Sequence, residues 1–158
     1  MDSSITEQVL RQNVEWRYWF TVRSGSRIGE LVALTSDSHW EVTTDHNGQP
    51  RFAVWPSYEL ARIYCEPHWP FLRPCPFAFD SWCEQWFDTL AQSRIPIEAF
   101  PTATESGLRV QPPTFLRDIE AVRTEFAIQG RNNLNAKQDW RLAGRRPTSP
   151  ADQGPSAA

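Results

Sequence analysis

The sequence predicts an α+β domain in which helices pack on mainly antiparallel strands. Three observations lead there. Apolar residues recur at helical spacing near both ends of the chain, short runs rich in β-branched and aromatic residues lie between them, and capping or turn residues separate these stretches. The predicted order is α-βββ-α-α-ββ-α.

Ser4 and Glu7 have the spacing of a capping box, so a helix is expected from about Ile5, with Ile5, Val9, Trp16 and Phe20 on its apolar face. Ser24-Gly25-Ser26 should end it. Leu31 to Thr35, Trp40 to Thr43 and Arg51 to Trp55 read as a three-stranded meander. Its second turn, Asp45-His46-Asn47-Gly48, contains the Asn-Gly pair that tight hairpins favour. Ser57 can cap a short helix from Tyr58 to Tyr64, and the proline-rich stretch 66–78 is expected to be irregular. Phe79, Trp82, Cys83, Trp86 and Leu90 fall on one face of a further helix. Ile97 to Phe100 and Leu108 to Val110 suggest two short strands, and Pro113 suits the first turn of a last helix striped by Phe115, Ile119, Val122 and Phe126. The apolar pattern stops at Gln129. The expected organisation is therefore one domain over 1–128 and a polar, disordered tail over 129–158.

Composition narrows the classes of function. Eight Trp and nine Phe can fill a core without metal or disulfide support, since each aromatic buries roughly 150–250 Å². The same surplus could instead furnish contact anchors. Residues 1–128 carry 11 basic and 17 acidic side chains, which argues against nucleic-acid binding by the body. Five basic residues follow, Arg131, Lys137, Arg141, Arg145 and Arg146, and a salt-steep anionic contact through them is the weaker option. No apolar run reaches the roughly 18 residues of a membrane span. Met1-Asp2-Ser3-Ser4 lacks the features of a secretory signal, and an odd count of three cysteines suits a reducing compartment, so a cytoplasmic protein is expected.

One series of residues resembles a known family. Trp55-Pro56-Ser57-Tyr58-Glu59-Leu60-Ala61 resembles a strand end running into a helix. Trp69 follows as a lone Trp, then the helix carrying Phe79, Trp82, Cys83, Trp86, Phe87 and Leu90, then Phe100-Pro101-Thr102, and then Gly107 through Ile119. In this order they are similar to the uncharacterised bacterial proteins grouped as domain of unknown function 2750, over roughly residues 17–125. The helix–strand arrangement is also distantly similar in architecture to SseB-type proteins. The resemblance implies a fold and no activity, cofactor or partner.

Candidate chemistry is sparse. Cys65-x-x-His68 with Cys75 and Cys83 has a ligand-like composition for zinc, but Cys65 and Cys83 occupy apolar helix positions, where free cysteine packs as a small hydrophobe. No metal and no cofactor are therefore expected. Cys75, between Pro74 and Pro76 and near Arg73, is the least protected thiol. Trp55, Pro56, Tyr58, Trp69 and Phe71 cluster at a strand end, a helix start and a connection, the places where scaffolds present binding residues. The first functional reading is a non-enzymatic interaction or regulatory module, of immunity or adaptor type, that holds a protein partner in an aromatic groove formed by these five. The second is a small-molecule binder or enzyme with a pocket near Trp55, Trp69 and Phe100, with His68 or Cys75 as its reactive group.

Overall fold

The computed structural model describes residues 2–37 and 39–142. Two helices open the chain where one was expected: α1 (Ser3–Leu10) and α2 (Val14–Ile28). Asp2 caps the first, and the Asn13 side chain accepts from the Trp16 amide at 2.8 Å to start the second. Gly25 does not break α2. A Cβ there would lie 2.9 Å from the Leu31 side chain, so glycine is what lets this turn of helix sit against the following strand. The buried face of α2 carries Arg17, Tyr18, Thr21 and Val22, whereas Ile5 and Trp16 are exposed and Val9 and Phe20 half-buried. The break at residues 11–13 resets the helical phase, which is why the continuous stripe expected from Ile5 to Phe20 does not form.

Among the described residues seven strands follow: β1 (Glu30–Ser36), β2 (His39–Trp40), β3 (Thr43–Thr44), β4 (Pro50–Val54), β5 (Arg73–Ala78), β6 (Ile97–Ala99) and β7 (Leu108–Val110). One sheet has the order β2-β1-β5 and the other β3-β4-β6-β7. All pairings are antiparallel except β4 with β6. The chain is thus α+β, but the expected middle strand of the meander splits into β2 and β3, which lie in different sheets. β4 packs against β1 without pairing along it, joined by the isolated bridge Val32↔Trp55 just past its end, and takes β6 as its parallel neighbour. Phe52, Ala53 and Val54 are all buried, the burial pattern of a central strand covered on both faces.

The proline-rich connection holds a strand because of where its prolines fall. Val32 exchanges both backbone hydrogen bonds with Trp55, at 2.9 and 2.8 Å, so it has none left for Pro76 opposite. Pro76, and Pro74 two residues before it, therefore direct their missing N–H positions toward the open edge. That edge can accept no regular further strand.

Between the sheets and the later helices lies a mainly aromatic core. Phe52 packs 6.3 Å from Phe77 and 5.8 Å from Trp82, and Trp82 meets Phe79 at 5.7 Å and Phe115 at 6.5 Å. A second core, on the face occupied by α3 (Tyr58–His68), joins Val32, Leu34, Ala53, Trp55, Leu60, Tyr64 and Phe100. Ser57 caps α3 as expected, accepting from the Leu60 amide.

The next helix is a composite of α4 (Phe79–Trp82), a π-helical turn (Cys83–Phe87) and α5 (Asp88–Gln92). The wider turn changes the phase, so Phe79, Trp82 and Leu90 are buried while Cys83, Trp86 and Phe87 are half-buried. The last helix, α6 (Pro112–Leu142), buries Phe115, Ile119 and Val122. Its backbone stays helical past Gln129, so the first part of the polar tail is helix rather than coil. Its exposed residues 129–134 include good helix formers and need no apolar face. Residues 143–158, the rest of the expected disordered tail, lie outside the described residues. Two compact units divide the chain, Met1–Arg123 and Thr124–Ala158. Every site described below lies in the first. Among the described residues no helix is long and apolar enough to cross a membrane.

Candidate functional site

Strand alternation places Arg51, Ala53 and Trp55 on the α3 side of β4, and Glu98 on the same side of β6. A charged residue in the middle of such a strand is the unusual element. Arg51 is 4% exposed and Glu98 1% exposed, and Arg51 Nε lies 2.6 Å from Glu98 Oε2. The contact is too bent for a hydrogen bond. Neither atom has an aligned partner, and nor does the hydroxyl of Thr43, which stands opposite Arg51 across the β3–β4 pair. Arg51 Nη2 donates to the Tyr64 hydroxyl at 2.9 Å, which ties the pair to α3.

Above this floor opens a cleft of about 360 Å³. One wall is the α3 end, with Tyr64, His68 and Trp69. The other is the loop from Pro101 to Ser106, and the β3–β4 turn contributes Asp45 and His46. The His68 ring stacks on Tyr64 with centroids 4.5 Å apart and planes 5° off parallel. Its Nδ1–H donates to the Tyr64 carbonyl at 2.9 Å, which leaves Nε2 as the other hydrogen-bonding position of the ring.

The loop wall is fixed from below by Arg17. This buried guanidinium donates to the carbonyls of Phe100 and Ser106 and to the Glu105 carboxylate. Gly107 completes the turn into β7. A Cβ there would fall 2.3 Å from the Ala99 carbonyl oxygen, so only glycine allows the close return that sets its amide 3.2 Å from Glu98 Oε1.

Each arginine at the cleft is matched by an acid. Arg51 faces Glu98, Arg17 holds Glu105 at 2.9 Å, and Arg109 holds Asp45 at 2.7 Å and Glu98 at 3.3 Å. Amide donation from Gln49, joined by the Arg109 guanidinium, holds the Asp45 carboxyl down from 3.8 to about 2. The site is thus rich in charge yet balanced.

The five residues expected to form an aromatic groove do not share one surface, although Trp69 packs against the core that contains Trp55. Trp55 is fully buried, and its indole N–H donates to the Pro101 carbonyl at 3.0 Å, so it is core and cannot contact a partner. Its position at a strand end was compatible with either role; the bridge to Val32 turns the ring inward. Pro56 is half-buried. Tyr58 and Phe71 are exposed, Phe71 at 90%, and neither borders the cleft. Trp69 alone of the five lines it. Phe100, the third marker of the alternative pocket, lies fully buried beside the cleft.

The cysteines do not assemble either. The Cys65 thiol donates toward the carbonyls of Trp69 and Leu72, and burial, then Glu66, raises its pKa. Burial, then Asp80, pushes Cys83 up to about 11. Among the described residues no three His, Cys, Asp or Glu side chains converge as metal ligands. Arg51, Glu98 and Arg17 were absent from the sequence-based candidates. The signal available was a charge set between apolar neighbours, as in Pro50-Arg51-Phe52 and Ile97-Glu98-Ala99.

The family described as protein of unknown function (DUF2750) matches residues 21–119, about three-fifths of the chain. The chain belongs to that family. The matched stretch of this DUF2750 domain holds the cleft floor, both walls and Arg109. Comparison with curated proteins and with solved structures gave no match.

Proposed function

We propose that this DUF2750 domain is a binding module for a small polar ligand, neutral or zwitterionic, seated in the cleft between the end of α3 and the 101–106 loop. The observation that carries the reading is the buried Arg51–Glu98 pair at the cleft floor. An ion pair so enclosed is a poor route to stability, because apolar side chains of similar volume often serve as well or better. Polar groups converging at the base of a concave site are instead what a ligand pocket requires. The balance of charge disfavours polyanions, and the volume suits a ligand of modest size. Tyr64, Trp69 and His68 offer aromatic surface, while Thr102, Thr104 and Ser106 offer hydroxyl groups. A protein partner held through Trp55 is not supported, since that ring is sealed in the core.

The test is a fragment screen by two-dimensional NMR on the 15N-labelled protein, using neutral and zwitterionic polar compounds at millimolar concentration. Shifts clustering at Tyr64, His68 and residues 102–106, and lost in Tyr64→Phe and Trp69→Ala, are expected. Shifts confined to other surfaces, or a cleft silent to the whole set, would refute the reading.

A further inference from the structure

We infer that a second surface, the outer face of α2, pairs with the same face of another copy of this chain in antiparallel orientation. Trp16 and Trp19 are 39% and 44% exposed there, an unusual setting for two indoles on one short helix. Phe20 stacks on Trp16 with centroids 4.9 Å apart and planes 13° off parallel, and these rings border a shallow groove of about 440 Å³ together with Asn13, Glu15 and Arg23.

The choice of partner rests on the order of charges. Glu15, Trp19 and Arg23 are spaced four residues apart and form one ridge along the helix. Glu15 lies one turn before Trp19 and Arg23 one turn after it, each about 6 Å along the axis. A two-fold axis over Trp19 therefore brings Glu15 of each copy to Arg23 of the other, with the indoles packed between. Parallel packing would set Glu15 on Glu15 and Arg23 on Arg23. A face complementary to itself only when reversed is the signature of an isologous contact. Arg23 also interacts within its own chain. A guanidinium has donors for two carboxylates, as Arg62 shows by holding Glu59 and Glu66 at 2.7 Å each.

Analytical ultracentrifugation of the full chain and three variants tests this. The wild type is expected to dimerise, and Trp19→Asp, an exposed substitution, to be monomeric with unchanged circular dichroism. Glu15→Arg and Arg23→Glu alone each set like charges together twice per dimer and should weaken association by about tenfold or more. Mixed in equal amounts, those two variants should recover dimer, because every facing pair is then of opposite sign. A wild type that stays monomeric at high micromolar concentration overturns the proposal, as does a dimer indifferent to Trp19→Asp. Failure of the mixture to recover, with Trp19→Asp monomeric, overturns the antiparallel arrangement. A stoichiometric complex with a different protein through this face, displaced by no second copy, also overturns it.

Discussion

Arg17 Nε donates to the carbonyl oxygen of Phe100 at 3.1 Å, joining the first turn of α2 to the residue that follows β6. Phe100 has φ of +56°, a left-handed conformation that bulky residues rarely adopt and that costs about 1–3 kcal/mol. Its amide is held by Val54 at 2.8 Å and its carbonyl by Arg17, so the strained residue is fixed on both sides. The remaining Arg17 bonds go to Gln12, Glu105 and Ser106 at 2.7–2.9 Å.

Replacing Arg17 by Met should therefore destabilise the domain by roughly 3–5 kcal/mol, since several buried carbonyls lose their donor at once. Arg17→Lys should recover only a minor part, because a point charge cannot serve acceptors spread around a planar fork. Urea unfolding of the three proteins reads this directly. A loss below about 1 kcal/mol for Arg17→Met would mean that the loop is held in some other way.

Trp55 and Phe71 make a contrasting pair. Trp55→Ala should cost about 3–5 kcal/mol, by cavity formation and loss of the bond to Pro101. Phe71→Ala should change stability by no more than about 0.5 kcal/mol, since its ring is almost wholly in water. The same denaturant series, followed by far-ultraviolet circular dichroism, distinguishes them. The reverse order of effects would place Trp55 at the surface.

Local chemistry was legible in the sequence, and long-range partnership was not. Ser57 caps its helix, the Asn47-Gly48 turn closes with Asp45 accepting from the amides of Asn47 and Gln49, and Phe115, Ile119 and Val122 face the core. Each of these depends on neighbours within a few residues. The parallel pairing of Phe52 with Ile97 does not, and it alone brings Arg51 to Glu98. β5 was hidden because proline normally excludes a strand. Here the outcome turned on which side of an edge the missing N–H falls, which depends on Val32 being engaged with Trp55. The aromatic groove failed for a related reason: Trp at a strand end reads alike whether the ring points in or out.

Thiol chemistry should single out Cys75. Cys65 and Cys83 both have their pKa raised by burial, so little thiolate forms at neutral pH, whereas Cys75 is half-buried on an edge strand. Iodoacetamide labelling of the native protein at pH 7.5, followed by peptide mass spectrometry, should modify Cys75 first. Buried Cys65 should react on the timescale of unfolding, and half-buried Cys83, with its raised pKa, at an intermediate rate. Equal labelling of all three before unfolding would contradict the packing around α3 and the π-helical turn.

Acid should weaken the domain partly through Asp45. Its carboxyl is held at about 2 in the folded protein against an ordinary value of 3.8, so between these values the unfolded chain binds the proton more readily than the folded one. Stability contributed by this group is then fully present above about pH 4 and is lost as pH falls toward 2. Asp45→Asn keeps an oxygen that can accept from the Asn47 and Gln49 amides but removes the charge facing Arg109. At neutral pH the variant should unfold at lower urea than the wild type. As pH falls from 4 to 2 the two midpoints should converge, because protonation removes from the wild type what the substitution has already removed. A constant gap between the curves over that interval would show that the Asp45–Arg109 contact does not depress the carboxyl. A direct 13C titration of the Asp45 carboxyl should give its midpoint near 2.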